Sequence, residues 1–272
     1  MSKVWFITGT SRGIGRAFAE SALERGDKVA ASARNVAALE DLVAEHGDEA
    51  VLPLVLDVTD RAAVAAAVAA AHQKFGRLDV VVNNAGYGLF GMVEEITEQQ
   101  VRDQMETNFF GAFWVTQAVL PILRAQGGGH IVQVSSVGGV AAFPSLGAYQ
   151  ASKWALEGFS DSLSQEVAGL GIKVTIVEPG GFSTDWAGSS ATLAEVNPAY
   201  DKVREALAAQ MSHARYSDPA NAGAALLQIV DAQNPPLRVF FGTQAMEIVE
   251  PLYARRLQTW ADWAHVAQAA QS

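Results

Sequence analysis

The chain predicts an α/β protein: a doubly wound, seven-stranded, mostly parallel sheet with helices on both faces. Three observations predict it. Short β-rich runs alternate with longer helical stretches along most of the sequence, and such alternation builds a parallel sheet covered on both sides. Three glycines fall between the first strand and the first helix. Half of the 272 residues are apolar and 18% are charged, so the chain has the material for a large core.

The elements follow in order. Val4–Thr8 is short and apolar, as a buried strand is. Ile14–Glu24 spaces Ile14, Phe18 and Ala22 at helical intervals, and Gly26 stops it. Lys28–Ser32 is the second strand; Val36–Glu45 is helical, with Gly47 as its stop. Val51–Leu56 is the third strand, and the Ala-rich Arg61–Phe75 is a helix closed by Gly76. Asp79–Val82 is the fourth strand. Glu98–Leu120 is helical throughout, as two helices or as one kinked at Gly111. The Gly127-Gly128-Gly129 turn leads into the fifth strand, His130–Val134. Tyr149–Ala168 is a long helix and Lys173–Val177 the sixth strand. Ala220–Asp231 is a further helix and Arg238–Phe241 the seventh strand.

A tail over about 244–270 carries Leu252, Arg256, Trp260 and Trp263 at roughly helical spacing. Right-handed crossovers wind these elements into a double layer. No Pro-, Ser- or charge-rich linker divides the chain, so 1–272 reads as a single domain. The stretch 180–218 is long for a plain connection and reads as a substrate lid.

The net charge of −10 disfavours nucleic acid and anionic membranes as partners, because an acidic surface repels phosphate. There are no cysteines, which removes disulfides, thiolate catalysis and thiolate zinc sites. The apolar run Val4–Ile7 is too short for a signal-peptide core, and no apolar stretch approaches the roughly 20 residues that span a bilayer. A cytoplasmic location is the expectation. His46, His72, His130, His213 and His265 are scattered, without metal-ligand spacing, and no metal is expected.

The first loop reads Thr8-Gly9-Thr10-Ser11-Arg12-Gly13-Ile14-Gly15. Glycines allow a tight turn and let a pyrophosphate approach the amides, and the following helix start attracts its charge. Out of context such a run is equally a plain glycine turn; between a strand and a helix it is a Rossmann-type dinucleotide loop. Its Gly-x-x-x-Gly-x-Gly spacing resembles the short-chain dehydrogenase/reductase family. After the second strand stands Ala33-Arg34-Asn35, where NAD binders usually place an acid. A guanidinium forks onto a 2′-phosphate where a carboxylate would repel it.

The resemblance implies that Arg34 and Arg12 select NADP(H), with NAD(H) not excluded. It also implies that Asp57 touches the adenine and that Asn83-Asn84-Ala85-Gly86 supports the adenosine side and locks the sheet. Gly9, Ser11, Arg12, Gly13, Ile14, Gly15, Arg34, Asp57, Asn84, Ala85, Gly86, Pro179, Gly180 and Thr184 form the implied cofactor site, together with Tyr149 and Lys153.

Tyr149 and Lys153 are one helical turn apart, on one face. Taken alone, that spacing also suits a Tyr packed on a Lys stem. With Ser136 thirteen residues upstream (149 − 136) and Asn108 in Thr107-Asn108-Phe109, the four match the family's catalytic tetrad. The implied chemistry is hydride transfer to or from a carbonyl/alcohol carbon. Tyr149 is then the general acid/base, Ser136 the stabiliser of the oxygen, Lys153 the cation that favours phenolate and holds the ribose, and Asn108 the holder of a water. The spacing selects Ser136 over Ser135 and leaves Ser152 as a packing residue.

Tyr87, Phe143, Phe182 and Trp186, with Leu193, Val196 and Tyr200, suggest an apolar pocket for a lipophilic carbonyl or alcohol. The family also implies a homodimer or homotetramer. Two other readings stand beside this one. A catalytically silent NADP-binding regulator of the same fold would not need the Tyr/Lys pair. An epimerase or dehydratase would resemble a longer chain.

Overall fold

A computed structural model describes residues 2–188, 190–211 and 215–271. Seven strands form one sheet: β1 (Val4–Thr8), β2 (Lys28–Ala33), β3 (Val51–Val55), β4 (Val80–Asn83), β6 (Gly129–Val134), β7 (Ile172–Pro179) and β9 (Arg238–Phe241). Their order is β3-β2-β1-β4-β6-β7-β9, and every pairing is parallel. β1 sits between β2 and β4, with Trp5 opposite both Val29 and Val80. The strand order therefore reverses beside β1, and at such a switch point the carboxyl ends of the strands leave a crevice for a ligand.

The two faces follow from strand alternation. Trp5, Ile7, Val80, Val82 and Val132 point into one core layer, covered by α1 (Gly13–Glu24) and α8 (Ala220–Asp231) through Phe18, Leu226 and Ile229. Val4, Phe6, Val81 and Ile131 point into the other. That layer is covered by α3 (Arg61–Phe75), α5 (Gly111–Ala125) and α6 (Gly147–Val167) through Val68, Val119 and Leu163. The caps of α3 show why its bounds are legible. Asp60 accepts from the amides of Ala62 and Ala63, and Gly76 closes the helix in the left-handed conformation at φ 77°.

Several elements differ from the sequence expectation. The expected helix Val36–Glu45 is a 3-10 turn, Val36–Leu39, followed by α2 (Glu40–His46). The stretch after Glu98 is α4 (Glu98–Met105), a π turn at Glu106–Phe110, and then α5. Irregularity thus falls before Gly111 rather than at it. Gly111 is instead a close-packing point, since a Cβ there would meet Val58 Cγ2 at 2.6 Å.

The stretch 180–218 is more ordered than a lid loop. It contains β8 (Thr192–Leu193), paired in parallel with β5 (Leu89–Phe90), and α7 (Asp201–Met211). Half-buried Glu95 accepts from the amide of Asn197 (2.7 Å) and from Arg204 (2.7 Å), and Tyr200 donates to Glu94 (2.6 Å). This pins the far half of the stretch to the body. Residues 189 and 212–214 of it, His213 among them, lie outside the described residues. The tail is α9 (Gln244–Asp262) followed by α10 (Ala264–Gln271).

Candidate active site

The glycine loop turns because Gly9 and Gly13 take positive φ, 71° and 65°. Gly15 opens α1 and lies against the carboxamide of Asn84 and the carbonyl of Gly9; a Cβ there would overlap both. Asn84 donates from Nδ2 to the carbonyls of Thr8 (2.9 Å) and Gly9 (3.0 Å). Thr8 Oγ1 in turn accepts from the amides of Asn84 and Ala85, each at 3.0 Å. The ends of β1 and β4 are thus sewn together beneath the loop. Asn83 is buried and braces the sheet, donating to Gln133 (3.0 Å) and Thr116 (3.1 Å).

At the end of β2, Ser11, Arg12, Arg34, Asn35 and Ala38 line a cavity of about 370 Å³. The two arginines meet there, although they are distant in sequence. Arg12 also reaches Asp185 (2.9 Å) across the cleft. Asp57 lies just beyond β3 and holds its own turn, accepting from Thr59 N (3.0 Å) and Oγ1 (2.8 Å). Thr184 stands opposite the loop, its Cγ2 3.6 Å from where a Cβ of Gly13 would be. Gly180, after Pro179, ties the end of β7 to β9 by donating to Phe241 O (2.9 Å). A Cβ at Gly9 or Gly15 would strike Asn84, so the glycines let the loop pack tightly on the end of β4; this tight turn into the start of α1, beside the arginine-lined cavity, suits a dinucleotide.

Tyr149, Ser152, Lys153 and Glu157 share the buried face of α6. Gly138 lies beside the Tyr149 ring and Ser136 Oγ; a Cβ on it would be 3.3 and 3.4 Å from them. Lys153 Nζ donates to Val134 O (2.8 Å) and lies 5.9 Å from the Tyr149 ring centre. Asn108 sits in the π turn. Its Nδ2 donates to Tyr87 O (3.0 Å) and Ser152 Oγ (3.1 Å), and its Oδ1 accepts from Tyr87 N (3.1 Å). Ser152 then donates to Tyr149 O (2.6 Å). Asn108 and Ser152 therefore lock the backbone that carries Tyr149. Burial pushes the Tyr149 phenol up to about 12, partly offset by a hydrogen bond with Ser136. Burial also pulls the Lys153 ammonium down to about 8, against the charge of Glu157, which holds it up.

A sequence profile of the family described as short chain dehydrogenase matches residues 3–193. The chain belongs to the short-chain dehydrogenase family. Like its family it is an NAD(P)-binding oxidoreductase with a Rossmann-like fold. An oxidoreductase of Botryotinia fuckeliana is 48% identical over 250 residues, covering 91% of each chain. A 3-ketodihydrosphingosine reductase of Bacteroides thetaiotaomicron is 36% identical, over 93% of this chain and 91% of its own. A solved short-chain dehydrogenase from Streptomyces avermitilis superposes with a TM-score of 0.93 at 39% identity, covering 99% of this chain and 98% of its own.

In this short-chain dehydrogenase the Trp186 ring lies edge-on over Tyr149, centroids 5.0 Å apart, and against Phe90 at 5.3 Å. It rests on Gly88, where a Cβ would be 2.8 Å from the indole. Tyr87 flanks Asn108 through its backbone, and burial raises its phenol. Phe182 turns instead toward α8 and β9, where it helps line a separate cavity of about 440 Å³. Phe143 packs with Val140, Val249 and Leu252 under α9. Leu193 and Val196 are exposed.

Sequence reasoning missed Phe90, which lies in the two-residue strand β5, and Gly88 just before it, where there is no periodicity to read. It also missed Glu157, Glu178 and Arg238. For Glu157 a signal existed, because it stands one helical turn beyond Lys153 on the same face. Among the described residues no helix is long and apolar enough to cross a membrane.

Proposed function

We propose that the chain moves a hydride between NADP(H) and a lipophilic carbonyl or alcohol, with Asn108, Ser136, Tyr149 and Lys153 as its tetrad. The observation that carries the cofactor choice is the cavity at the end of β2, which presents Arg34 and Arg12 where a 2′-hydroxyl binder would present a carboxylate. When bound, the nicotinamide supplies or receives the hydride. The glycine loop and the start of α1 would hold its pyrophosphate, Asp57 its adenine, and Thr184 with Pro179-Gly180 its nicotinamide end.

In reduction Tyr149 donates its phenolic proton to the carbonyl oxygen; in oxidation it takes the proton back. Ser136 hydrogen-bonds the same oxygen as charge develops on it. The buried phenol is protonated at neutral pH, which suits it as the acid of a reductase. Trp186, backed by Phe90, gives the oxygen site an apolar wall, in keeping with a relative named as a 3-ketodihydrosphingosine reductase. A homodimer or homotetramer is the expected assembly.

The test is a fluorescence titration of NADPH and NADH against wild type and Arg34→Asp. NADPH is expected to bind wild type at least tenfold tighter than NADH, with the gap closed or reversed in the variant. Equal binding of both cofactors, insensitive to Arg34, would end the NADP reading. A screen of alkyl and aryl ketones with NADPH follows, with Tyr149→Phe as the inactive control.

A further inference from the structure

Beyond Lys153, away from Tyr149, lies a buried acidic pair that the reaction as described does not use. Glu157 stands one turn further along α6, and Glu178 stands on β7 just before Pro179. Their side chains are 7% and 2% exposed. Arg238, on the edge strand β9, serves both from one side, with Nε 3.0 Å from Glu157 Oε2 and 3.8 Å from Glu178 Oε1. Its outer arm is taken by Asp161 at the rim (2.8 Å). Gly139 makes room, since a Cβ there would overlap Ser135 Oγ and stand 3.1 Å from Glu157 Oε1.

The charges around Lys153 are few. Tyr149 and Glu157 flank it on α6, Asn108 lies in the π turn, and β6 offers the carbonyl of Val134. Glu178 from β7 and Arg238 from β9 stand behind Glu157. Two buried carboxyls beside a single guanidinium disfavour each other's ionisation, so one keeps a proton. The one nearer the guanidinium is the better anion, and that is Glu157. Glu178 is the less supported partner: burial, and then the charge of Glu157, push it up to about 8.

We infer that Glu157 and Glu178 share one proton, held on Glu178, and that the Glu157 anion keeps the buried Lys153 protonated. Arg238 selects which carboxyl is charged. Glu157 is then a positioning residue acting through Lys153; its consequence for turnover rests on the proposed function, but the charge relation does not. Without that anion, burial alone would release the Lys153 proton near neutral pH, and Tyr149 would lose its cation.

The test needs no substrate. The full chain is labelled with 13Cε-lysine and 13Cδ-glutamate and titrated by NMR, with Lys153 assigned by the signal lost in Lys153→Arg. Only six lysines need be resolved. In Glu157→Gln the Lys153 midpoint is expected to fall by about one pH unit or more, the usual effect of losing a close opposite charge. In Glu178→Gln it is expected to stay within a few tenths, because Gln imitates a neutral Glu. One glutamate carboxyl of wild type should titrate near pH 8 and vanish from the Glu178→Gln spectrum.

Equal shifts from both variants, an unmoved Lys153 in Glu157→Gln, or no carboxyl titrating above pH 7 would overturn the inference. If Glu157→Gln does not fold, the wild-type carboxyl titration and the charge-preserving Glu157→Asp decide. Failure of the dehydrogenase reading would leave all these midpoints in place.

Discussion

Gly15→Ala tests the glycine loop. Gly15 lies in a helix, where Ala is normally better than Gly by about 1 kcal/mol. Here a Cβ would overlap Gly9 O and the Asn84 carboxamide, whose Cγ would be 2.8 Å away. Asn84 must then give up its bonds to Thr8 O and Gly9 O. Two hydrogen bonds at roughly 1 kcal/mol each, plus about 1–3 kcal/mol of overpacking, outweigh the helix gain and leave a net loss of about 2–4 kcal/mol.

At roughly 2–4 °C per kcal/mol for a large domain, the melting temperature should fall by about 4–16 °C. Gly158→Ala in α6 is the control. Nothing lies within 4 Å of a Cβ there, so that variant should gain up to about 1 kcal/mol. Calorimetry of both, with an NADPH titration of each, is the assay. If Gly15→Ala melts within 2 °C of wild type and binds NADPH unchanged, the loop is not clamped by Asn84 and the reasoning fails.

Two further outcomes are expected. Trp186→Ala should admit water to Tyr149, whose phenol is held near 12 by burial. Its midpoint should fall toward the ordinary value of about 10, at most about 2.7 kcal/mol, read as phenolate absorbance against a Tyr149→Phe background; a midpoint that stays put would remove Trp186 as the cover. His130 is buried on β6 against Thr175 (2.9 Å), and burial, then Lys173, pull it down to about 4 from 6.5.

The unfolded chain therefore binds a proton that the folded chain refuses between pH 6.5 and 4. Stability should drop as pH falls through that window and level off below it, by about 3 kcal/mol in all. Urea unfolding of His130→Gln should lack most of that drop, and an identical pH profile would refute it.

Much of the fold was readable because its signals are local. The bounds of α3 follow from Asp60, a run of Ala and Gly76, and the alternation in β1 sorts Trp5 and Ile7 from Val4 and Phe6 without reference to the rest of the chain. The candidate site was legible where a residue's spacing along one element sets its position, as in Gly9 to Gly15 or Tyr149 to Lys153.

The tertiary structure decided what depends on distant segments meeting. β5 and β8 are two residues each and exist only because they pair across about a hundred residues. The π turn that aims Asn108 at Tyr87 and Ser152 has no sequence period of its own. Phe182 and Phe143, which the sequence grouped with Trp186, went to α8 and α9, because an aromatic signals burial without saying against what. Glu157, Glu178 and Arg238 come from α6, β7 and β9, and only the packing of that helix on neighbouring parallel strands puts their charges together. Periodicity and turn chemistry are written residue by residue, whereas contact between elements is set by sheet order and register.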